Sequence, residues 1–170
     1  MVAAALTSAA TAVLDTCRRQ GLTVVTAESC TGGLVAAALT DIAGSSDVFD
    51  RGFITYSNAA KTAMLGVPEV MIAAHGAVSA EVAAAMALGA LKASGGGVAV
   101  AVTGVAGPGG GSLAKPVGLV HFAVAVRDGR VNRIERRFGA LTRAAIRRKA
   151  TLAALTLIME TVAEGDTALA

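Results

Sequence analysis

The chain has 170 residues and a net charge of +3 at pH 7, with 16% charged and 54% hydrophobic residues. This length fits one domain that buries about 70% of its unfolded surface, and the low charged fraction excludes bulk disorder. The two histidines lie far apart and the two cysteines form no CxxC pair. Since zinc sites usually need three or four such ligands, we expect no metal, and no cofactor is implied.

The N-terminus and the lengths of the apolar runs predict the cellular location of the protein. No apolar run reaches the roughly 18 residues of a membrane span. The N-terminus lacks the positively charged segment of a signal peptide and reads as a helix. We therefore expect a cytoplasmic protein with free thiols and no membrane partner.

Apolar spacing predicts alternating helices and strands in the first half. A helix reaches to about Cys17 and ends at Gly21. Residues 22–26 predict a strand, followed by a glycine-containing turn and a helix to about Thr40. Residues 51–57 predict the next strand, and Asn58 is the expected cap of a short helix.

The second half continues the pattern and sets the fold class. Residues 98–103 are wholly apolar except for the final Thr103, which is typical of a central strand covered on both faces. The other predicted elements are a helical turn from Pro68, a helix over 79–93, a hairpin of 117–127 with 131–138, and a helix over 142–163. We predict an α/β fold, a single-domain layered sandwich with helices around a mixed β-sheet, over residues 1–170.

Positive charge is concentrated between Arg127 and Lys149. This segment holds eight arginines and one lysine against two acidic residues, a local charge of +7. It could be a solvated face, a contact for a small anion or a subunit, or a nucleic-acid surface. With one tyrosine and no tryptophan there are few platforms for base stacking, so we expect no nucleic-acid partner.

Residues 28–33 (ESCTGG) are the first candidate site. Ser29 lies where a strand gives way to a helix, whose N-terminal N–H groups favour negative charge. A nucleophilic serine there would have oxyanion donors at hand. Cys30 is a competing nucleophile, because a thiol at a helix N-terminus is expected to have a lowered pKa. The alternative is an ordinary capping serine or threonine.

Two further segments could carry chemistry. Tyr56 is the only tyrosine and Lys61 one of four lysines; a lysine whose pKa is lowered by burial can act as a general base. The alternative is an exposed lysine and a half-buried strand tyrosine. Residues 103–118 form a Gly-rich loop after the apolar strand, where α/β folds place ligands. His75 fits a loop or helix end, and His121 fits the sheet.

Together these segments resemble the CinA C-terminal-domain family, whose members act as nicotinamide-nucleotide amidases. The matching blocks are residues 27–33 (AESCTGG), 41–46 (DIAGSS), 51–58 (RGFITYSN), Lys61, 75–79 (HGAVS), 103–108 (TGVAGP) and 115–118 (KPVG). The resemblance implies hydrolysis of nicotinamide mononucleotide to nicotinate mononucleotide and ammonia. It also implies Ser29 as nucleophile, Lys61 as general base and Tyr56 as its associate.

The resemblance also suggests a set of substrate-binding residues. They are Cys30, Thr31, Gly32, Gly33, Ser45, Thr103, Gly104, Gly107, Pro108, Gly109, Gly110, Lys115 and Arg143. N–H groups of residues 31–33 or 107–110 are the expected oxyanion donors, and Lys115, Arg143 or the Gly-rich loop the expected phosphate ligands. Many relatives have a polar residue at the position of Gly109, so a side-chain contact there is in doubt.

Two other function classes stay open on the sequence alone. One is a non-catalytic nucleotide-binding or regulatory module that uses the same glycine-rich loops. The other is a competence- or DNA-damage-associated protein that uses the basic segment. In the amidase interpretation the chain takes a small mononucleotide in NAD recycling, and we expect a homo-oligomer.

Overall fold

The apolar segments assemble around one five-stranded sheet. The structure, a computed structural model, describes residues 2–166. Their elements are α1 (Val2–Arg19), β1 (Val24–Glu28), α2 (Leu34–Thr40), a 3₁₀ turn (Ser45–Asp47), β2 (Phe49–Ile54), α3 (Asn58–Leu65), α4 (Glu69–His75), α5 (Ala80–Ser94), β3 (Val98–Gly104), β4 (Leu119–Val126), β5 (Val131–Arg137) and α6 (Arg143–Asp166). Met1 and residues 167–170 of the predicted domain lie outside the described residues.

The sheet has the order β2-β1-β3-β4-β5 and is mixed. β1 pairs in parallel with both β2 and β3, whereas β4 and β5 form the predicted antiparallel hairpin. β3 is the central strand, and its residues 98–103 are buried, as the apolar run predicted. Because parallel strands end at the same edge, the residues after β1, β2 and β3 meet there.

Helices cover both faces of the sheet. α1, α2 and α6 pack on the face that carries Val98, Val100 and Val102. α3, α4 and α5 pack on the other face, which carries the small side chains of Ala99 and Ala101. The predicted α/β layered sandwich is confirmed. No helix within residues 2–166 combines the length and apolar character needed to cross a membrane.

Element ends differ from the predictions near the sheet edge. β1 runs two residues further than predicted, to Glu28, which pairs with Ile54 on one side and Val102 on the other. β2 begins and ends earlier than predicted, so Tyr56 lies in the connection after it. The cap of α3 is Ser57 rather than Asn58, since the Ser57 hydroxyl accepts a hydrogen bond from the Ala60 N–H at 3.0 Å.

A glycine lets α5 approach α3 closely. A Cβ atom on Gly89 would lie 2.0 Å from the carbonyl oxygen of Leu65, the last residue of α3. Since real Cβ contacts do not occur at this distance, any larger residue must push the two helices apart. This contact fixes the position of α3, the helix that carries Lys61.

We predict that Gly89→Ala lowers the free energy of unfolding by about 1–3 kcal/mol through overpacking. Helix propensity alone would make the alanine variant more stable by about 1 kcal/mol. The sign of the change in the free energy of unfolding therefore distinguishes overpacking from helix propensity. Urea denaturation measures the change, with exposed Ala93→Gly on the same helix as the propensity control. A Gly89→Ala protein that is more stable than the parent would contradict the close approach.

Candidate active site

The candidate site lies where β1 and β3 end side by side. After β1 the chain leads to β2 on one side, and after β3 to β4 on the other, which is the switch point where α/β sheets bind ligands. Ser29 directly follows β1, and its N–H donates to the Val102 carbonyl at 2.9 Å. The Thr55 N–H donates to the Glu28 carbonyl at 2.8 Å. The Glu28–Ser29 peptide group is therefore held by both neighbouring strands of the sheet.

Lys61 is brought into direct contact with Ser29. Its Nζ lies 3.1 Å from Ser29 Oγ and 2.9 Å from the Thr55 carbonyl oxygen. The residue is only 2% exposed, and none of the ion pairs among residues 2–166 includes it. Burial lowers the pKa of Lys61, because desolvation disfavours the charged ammonium. The amine can thus lose its proton more readily than an exposed lysine.

The environment of Cys30 disfavours it as a nucleophile. Its side chain is buried, and burial raises the thiol pKa to about 12. The lowering expected at a helix N-terminus is wrong, because burial is the largest influence on the pKa of Cys30 and the negative charge of Glu28 raises it further. The reactive species of a cysteine is the thiolate, so this thiol is inert near neutral pH.

Glu28 occupies the N-terminus of α2. Its fully buried carboxylate accepts hydrogen bonds from the N–H groups of Gly33 (3.0 Å), Val35 (3.1 Å) and Ala36 (2.9 Å). A carboxylate in this position both satisfies the free N–H groups and complements the helix dipole. The start of α2 is therefore closed to an external anion.

Only part of the predicted oxyanion donor set is free. The Gly33 N–H binds Glu28, and the Gly32 N–H donates to the Ser29 carbonyl at 3.0 Å. The hydrogen bonds found within residues 2–166 leave the N–H groups of Cys30 and Thr31 without a partner. These two are the donors nearest in sequence to Ser29.

Tyr56 lies at the rim of the site. Its side chain is 58% exposed, and its hydroxyl accepts a hydrogen bond from Arg143 Nη2. Arg143 also donates from Nη1 to the Gly107 carbonyl at 2.8 Å. No hydrogen bond found in the described part of the chain joins Tyr56 to Lys61. Tyr56 and Arg143 thus connect the β2–α3 segment to the Gly-rich loop.

The Gly-rich loop is fastened on both sides of the sheet edge. Besides the Gly107–Arg143 contact, Lys115 Nζ donates to the His75 carbonyl at 2.5 Å. The buried Thr103 hydroxyl donates to the Ala77 carbonyl at 2.8 Å. The open groove lined by the loop has a volume of about 480 Å³; its walls are Pro108, Gly109, Gly110, Gly111, Ser112, Leu113, Pro116 and Val117.

Two glycines of the loop differ in what they require. A Cβ on Gly104 would lie 2.7 Å from Val120 Cγ2 and 2.8 Å from the Leu119 carbonyl, so this position needs glycine. A Cβ on Gly109 would meet no atom within 4 Å. A Cβ atom at Gly109 would therefore fit here without rearrangement.

Ser45 is the predicted substrate-binding residue that this chain does not bring to the site. It begins the 3₁₀ turn beside the amino end of β1, where the Val24 N–H donates to the Val48 carbonyl. Ser29 lies beyond the opposite end of β1, roughly 13 Å or more away along a strand that rises about 3.3 Å per residue. We therefore leave Ser45 out of the site formed within one chain.

Sequence reasoning missed two residues that shape the site, Glu28 and Arg147. Arg147 Nε donates to the Cys30 carbonyl at 3.1 Å, and its Nη2 donates to the Thr31 carbonyl at 2.8 Å. The available signal was spacing, because Arg143 and Arg147 are four residues apart and share one face of α6. Glu28 carried no signal beyond its place in the ESCTGG block.

The basic segment is divided among several local partners. Arg130 pairs with Asp128 at 2.8 Å, and Arg137 pairs with Glu135 at 2.7 Å. Arg143 and Arg147 reach the candidate site. Within residues 2–166 no group of three or more His, Cys, Asp or Glu side chains is arranged to hold a metal ion.

Comparison with known proteins places this geometry in a family. A nicotinamide-nucleotide amidohydrolase PncC of Enterobacter agglomerans is 54% identical over 138 residues, 81% of this chain and 84% of that protein. A putative competence-damage inducible protein of Symbiobacterium thermophilum is 62% identical over 108 residues, 64% of this chain but only 25% of that protein. The crystal structure of the competence/damage inducible protein CihA from Agrobacterium tumefaciens superposes with a TM-score of 0.91 at 50% identity, covering 92% and 95% of the two chains.

The family model described as the CinA C-terminal domain matches residues 6–162, which is most of the chain and includes every residue of the candidate site. The chain belongs to the CinA C-terminal-domain family.

Proposed function

We propose that the protein is an amidase that hydrolyses nicotinamide mononucleotide to nicotinate mononucleotide and ammonia. The observation that carries the proposal is the 3.1 Å contact between the buried Lys61 amine and the Ser29 hydroxyl. The relative named as a nicotinamide-nucleotide amidohydrolase, aligned over 84% of its length, supports the amide substrate. We place the reaction in the recycling of pyridine nucleotides.

In the acylation step Lys61 acts as general base. The neutral amine accepts the Ser29 hydroxyl proton while one of its N–H groups donates to the Thr55 carbonyl. Ser29 Oγ forms a bond to the carboxamide carbon, and the resulting oxyanion takes hydrogen bonds from the free N–H groups of Cys30 and Thr31. The C–N bond then breaks as Lys61 returns the proton to the departing ammonia.

Deacylation uses the same groups in reverse. Lys61 accepts a proton from a water molecule that attacks the acyl carbon, and the bond to Ser29 Oγ breaks. The proton passes from Lys61 to Ser29 Oγ, so the enzyme is restored and nicotinate mononucleotide leaves. In this scheme Tyr56 is not in the proton path, because no hydrogen bond found within residues 2–166 joins its hydroxyl to Lys61 or Ser29.

We propose that the mononucleotide binds in the groove of the Gly-rich loop beside Arg143. The exposed Pro108, Gly109 and Gly110 offer backbone groups to the ligand, and Arg143 contacts the loop at the carbonyl of the preceding Gly107. Lys115 is held on the opposite side by the His75 carbonyl and is the less favoured phosphate ligand. Thr103 and Gly104 lie at the end of β3, directly before this loop.

Two broader predictions complete the proposal. Residues 1–170 form one amidase domain, which the family match over residues 6–162 supports. The protein assembles as a homo-oligomer, which light scattering at several concentrations would test. No contact described among residues 2–166 specifically favours a non-catalytic module or a DNA-binding protein.

The central test is ammonia release from nicotinamide mononucleotide. We expect Ser29→Ala and Lys61→Met each to lower kcat by about 10⁴-fold or more, because the two residues act as a unit. Arg127→Ala, in the basic segment but outside the site, is the control and should keep the parental rate. Full activity of the Ser29→Ala protein would contradict the role of Ser29 as nucleophile. If Lys61→Met raised only KM, Lys61 would be a substrate-binding residue and not the general base.

Thiol reactivity tests the choice of Ser29 over Cys30. Both cysteines are free and buried, and burial raises the pKa of Cys17 to about 11 and of Cys30 to about 12. We expect neither thiol to react with iodoacetamide at pH 8 in the folded protein, while both react in denaturant. Rapid alkylation of Cys30 together with loss of activity would favour a thiol nucleophile instead.

The lowered pKa of Lys61 predicts how its contribution to stability changes with pH. Between that pKa and the ordinary value of about 10.4, the unfolded chain holds a proton that the folded protein has lost. The free energy of unfolding therefore rises with pH in this window through Lys61. Each unit of pKa lowering adds about 1.4 kcal/mol to the rise.

Urea denaturation between pH 7 and pH 10 measures this effect. The difference in free energy of unfolding between the parent and Lys61→Met should increase over that range. A pH-independent difference in stability between the two proteins does not affect this result. Comparison with the variant cancels the opposite contribution of the two cysteines. A difference that stays flat would show that the buried amine keeps its ordinary pKa.

A further inference from the structure

One arginine holds both carbonyl groups that follow the proposed nucleophile. Arg147 is half-buried, and it donates to the Cys30 carbonyl at 3.1 Å and to the Thr31 carbonyl at 2.8 Å. The arginine comes from α6, 116 positions beyond Thr31 in the chain. A planar guanidinium can span two consecutive carbonyls in this way, whereas a lysine amine offers one point charge.

The two carbonyls belong to the turn that carries Ser29. The Gly32 N–H donates to the Ser29 carbonyl at 3.0 Å, which makes Cys30 and Thr31 the central residues of a four-residue turn. A peptide group is planar and trans, so the Cys30 carbonyl and the Thr31 N–H point in opposite directions from one rigid unit. Holding the carbonyl with Arg147 therefore also aims the Thr31 N–H.

Hydrogen bonding to the carbonyl has a second effect on the same peptide group. An amide whose oxygen accepts a charge-assisted hydrogen bond is polarised, and its N–H becomes a stronger donor. The Thr31 N–H is one of the two N–H groups near Ser29 that the described residues leave unpaired. Arg147 thus acts on a donor that faces a developing negative charge in the proposed reaction.

The opposite side of the turn is held independently. Glu28 binds the N–H groups of Gly33, Val35 and Ala36, so the chain after the turn cannot shift to replace the contact with Arg147. Gly32 has a φ of +58°, and a Cβ there would lie 3.3 Å from Arg147 Nη2. Only glycine combines this backbone conformation with the close approach of the arginine.

We propose that Arg147 is a positioning residue that fixes the Cys30–Thr31 peptide so that its N–H can bind the oxyanion formed by attack of Ser29. The proposal rests on the amidase function proposed above and adds a residue to it. Arg147 acts through the turn, and its role requires no contact with the substrate.

The test compares Arg147→Ala and Arg147→Lys with Arg148→Ala, an exposed neighbour on α6 that makes none of the side-chain hydrogen bonds found within residues 2–166. Two rates are measured: ammonia release from nicotinamide mononucleotide, and covalent labelling of Ser29 by a fluorophosphonate, which also forms an oxyanion at the attacked atom. We expect Arg147→Ala to lower both rates by about 10²-fold, the effect of a lost oxyanion donor, with KM little changed. Arg147→Lys should recover only part of each rate, and Arg148→Ala should match the parent.

Added guanidinium ion at millimolar concentration provides a readout that a merely structural role would not move. It should raise both rates of Arg147→Ala and leave Ser29→Ala inactive. The proposal would be overturned if Arg147→Ala kept the parental kcat and the parental labelling rate. It would also be overturned if the variant raised KM without changing kcat, because that result would identify Arg147 as a ligand of the substrate phosphate. If Arg147→Ala fails to fold, Arg147→Lys decides, and full activity in that variant overturns the proposal.

Failure of the proposed function is recognised separately. If the parent protein releases no ammonia, the proposed amidase function is wrong. The labelling rate of Ser29 in the parent, compared with that in the Arg147 variants, would still test the role of the arginine.

Discussion

The site depends on one buried amine. Lys61 is held within 3.1 Å of Ser29 Oγ and 2.9 Å of the Thr55 carbonyl, and no carboxylate pairs with it in the described part of the chain. Burial is the main cause of its lowered pKa, and in the proposed mechanism this lysine takes the place of the histidine of a serine triad. Lys61 lies on α3, the helix that packs closely against α5 at Gly89.

The parallel strands supply the second constraint. Ser29 is fixed by hydrogen bonds that continue the β1–β3 and β1–β2 pairing past the strand ends. At the same edge the helix dipole of α2 is already matched by Glu28. In the proposed reaction the negative charge on the amide oxygen is therefore met by turn N–H groups rather than by the helix. The turn itself needs support from elsewhere, which in this fold comes from α6.

Sequence patterns predicted what local spacing determines. The apolar run at 98–103 predicted the central strand, and six ordered blocks together indicated the family. Properties that depend on contacts between residues distant in the sequence could not be predicted from these patterns. The pKa of Cys30 follows from burial and from Glu28, the exposure of Tyr56 follows from the early end of β2, and the contacts of Arg147 join residues more than a hundred positions apart. Local periodicity contains no information about such pairs.

The docking of α6 also orders the assembly of the site in time. During synthesis the N-terminal parts of a chain emerge and begin to fold first. Ser29 and Lys61 both precede residue 62, but the Cys30 and Thr31 carbonyls gain their contacts with Arg147 only once the last helix has reached the sheet. A nascent chain thus carries Ser29 and Lys61 long before it carries Arg147. In the proposed reaction, the support for the turn is therefore among the last parts of the site to form.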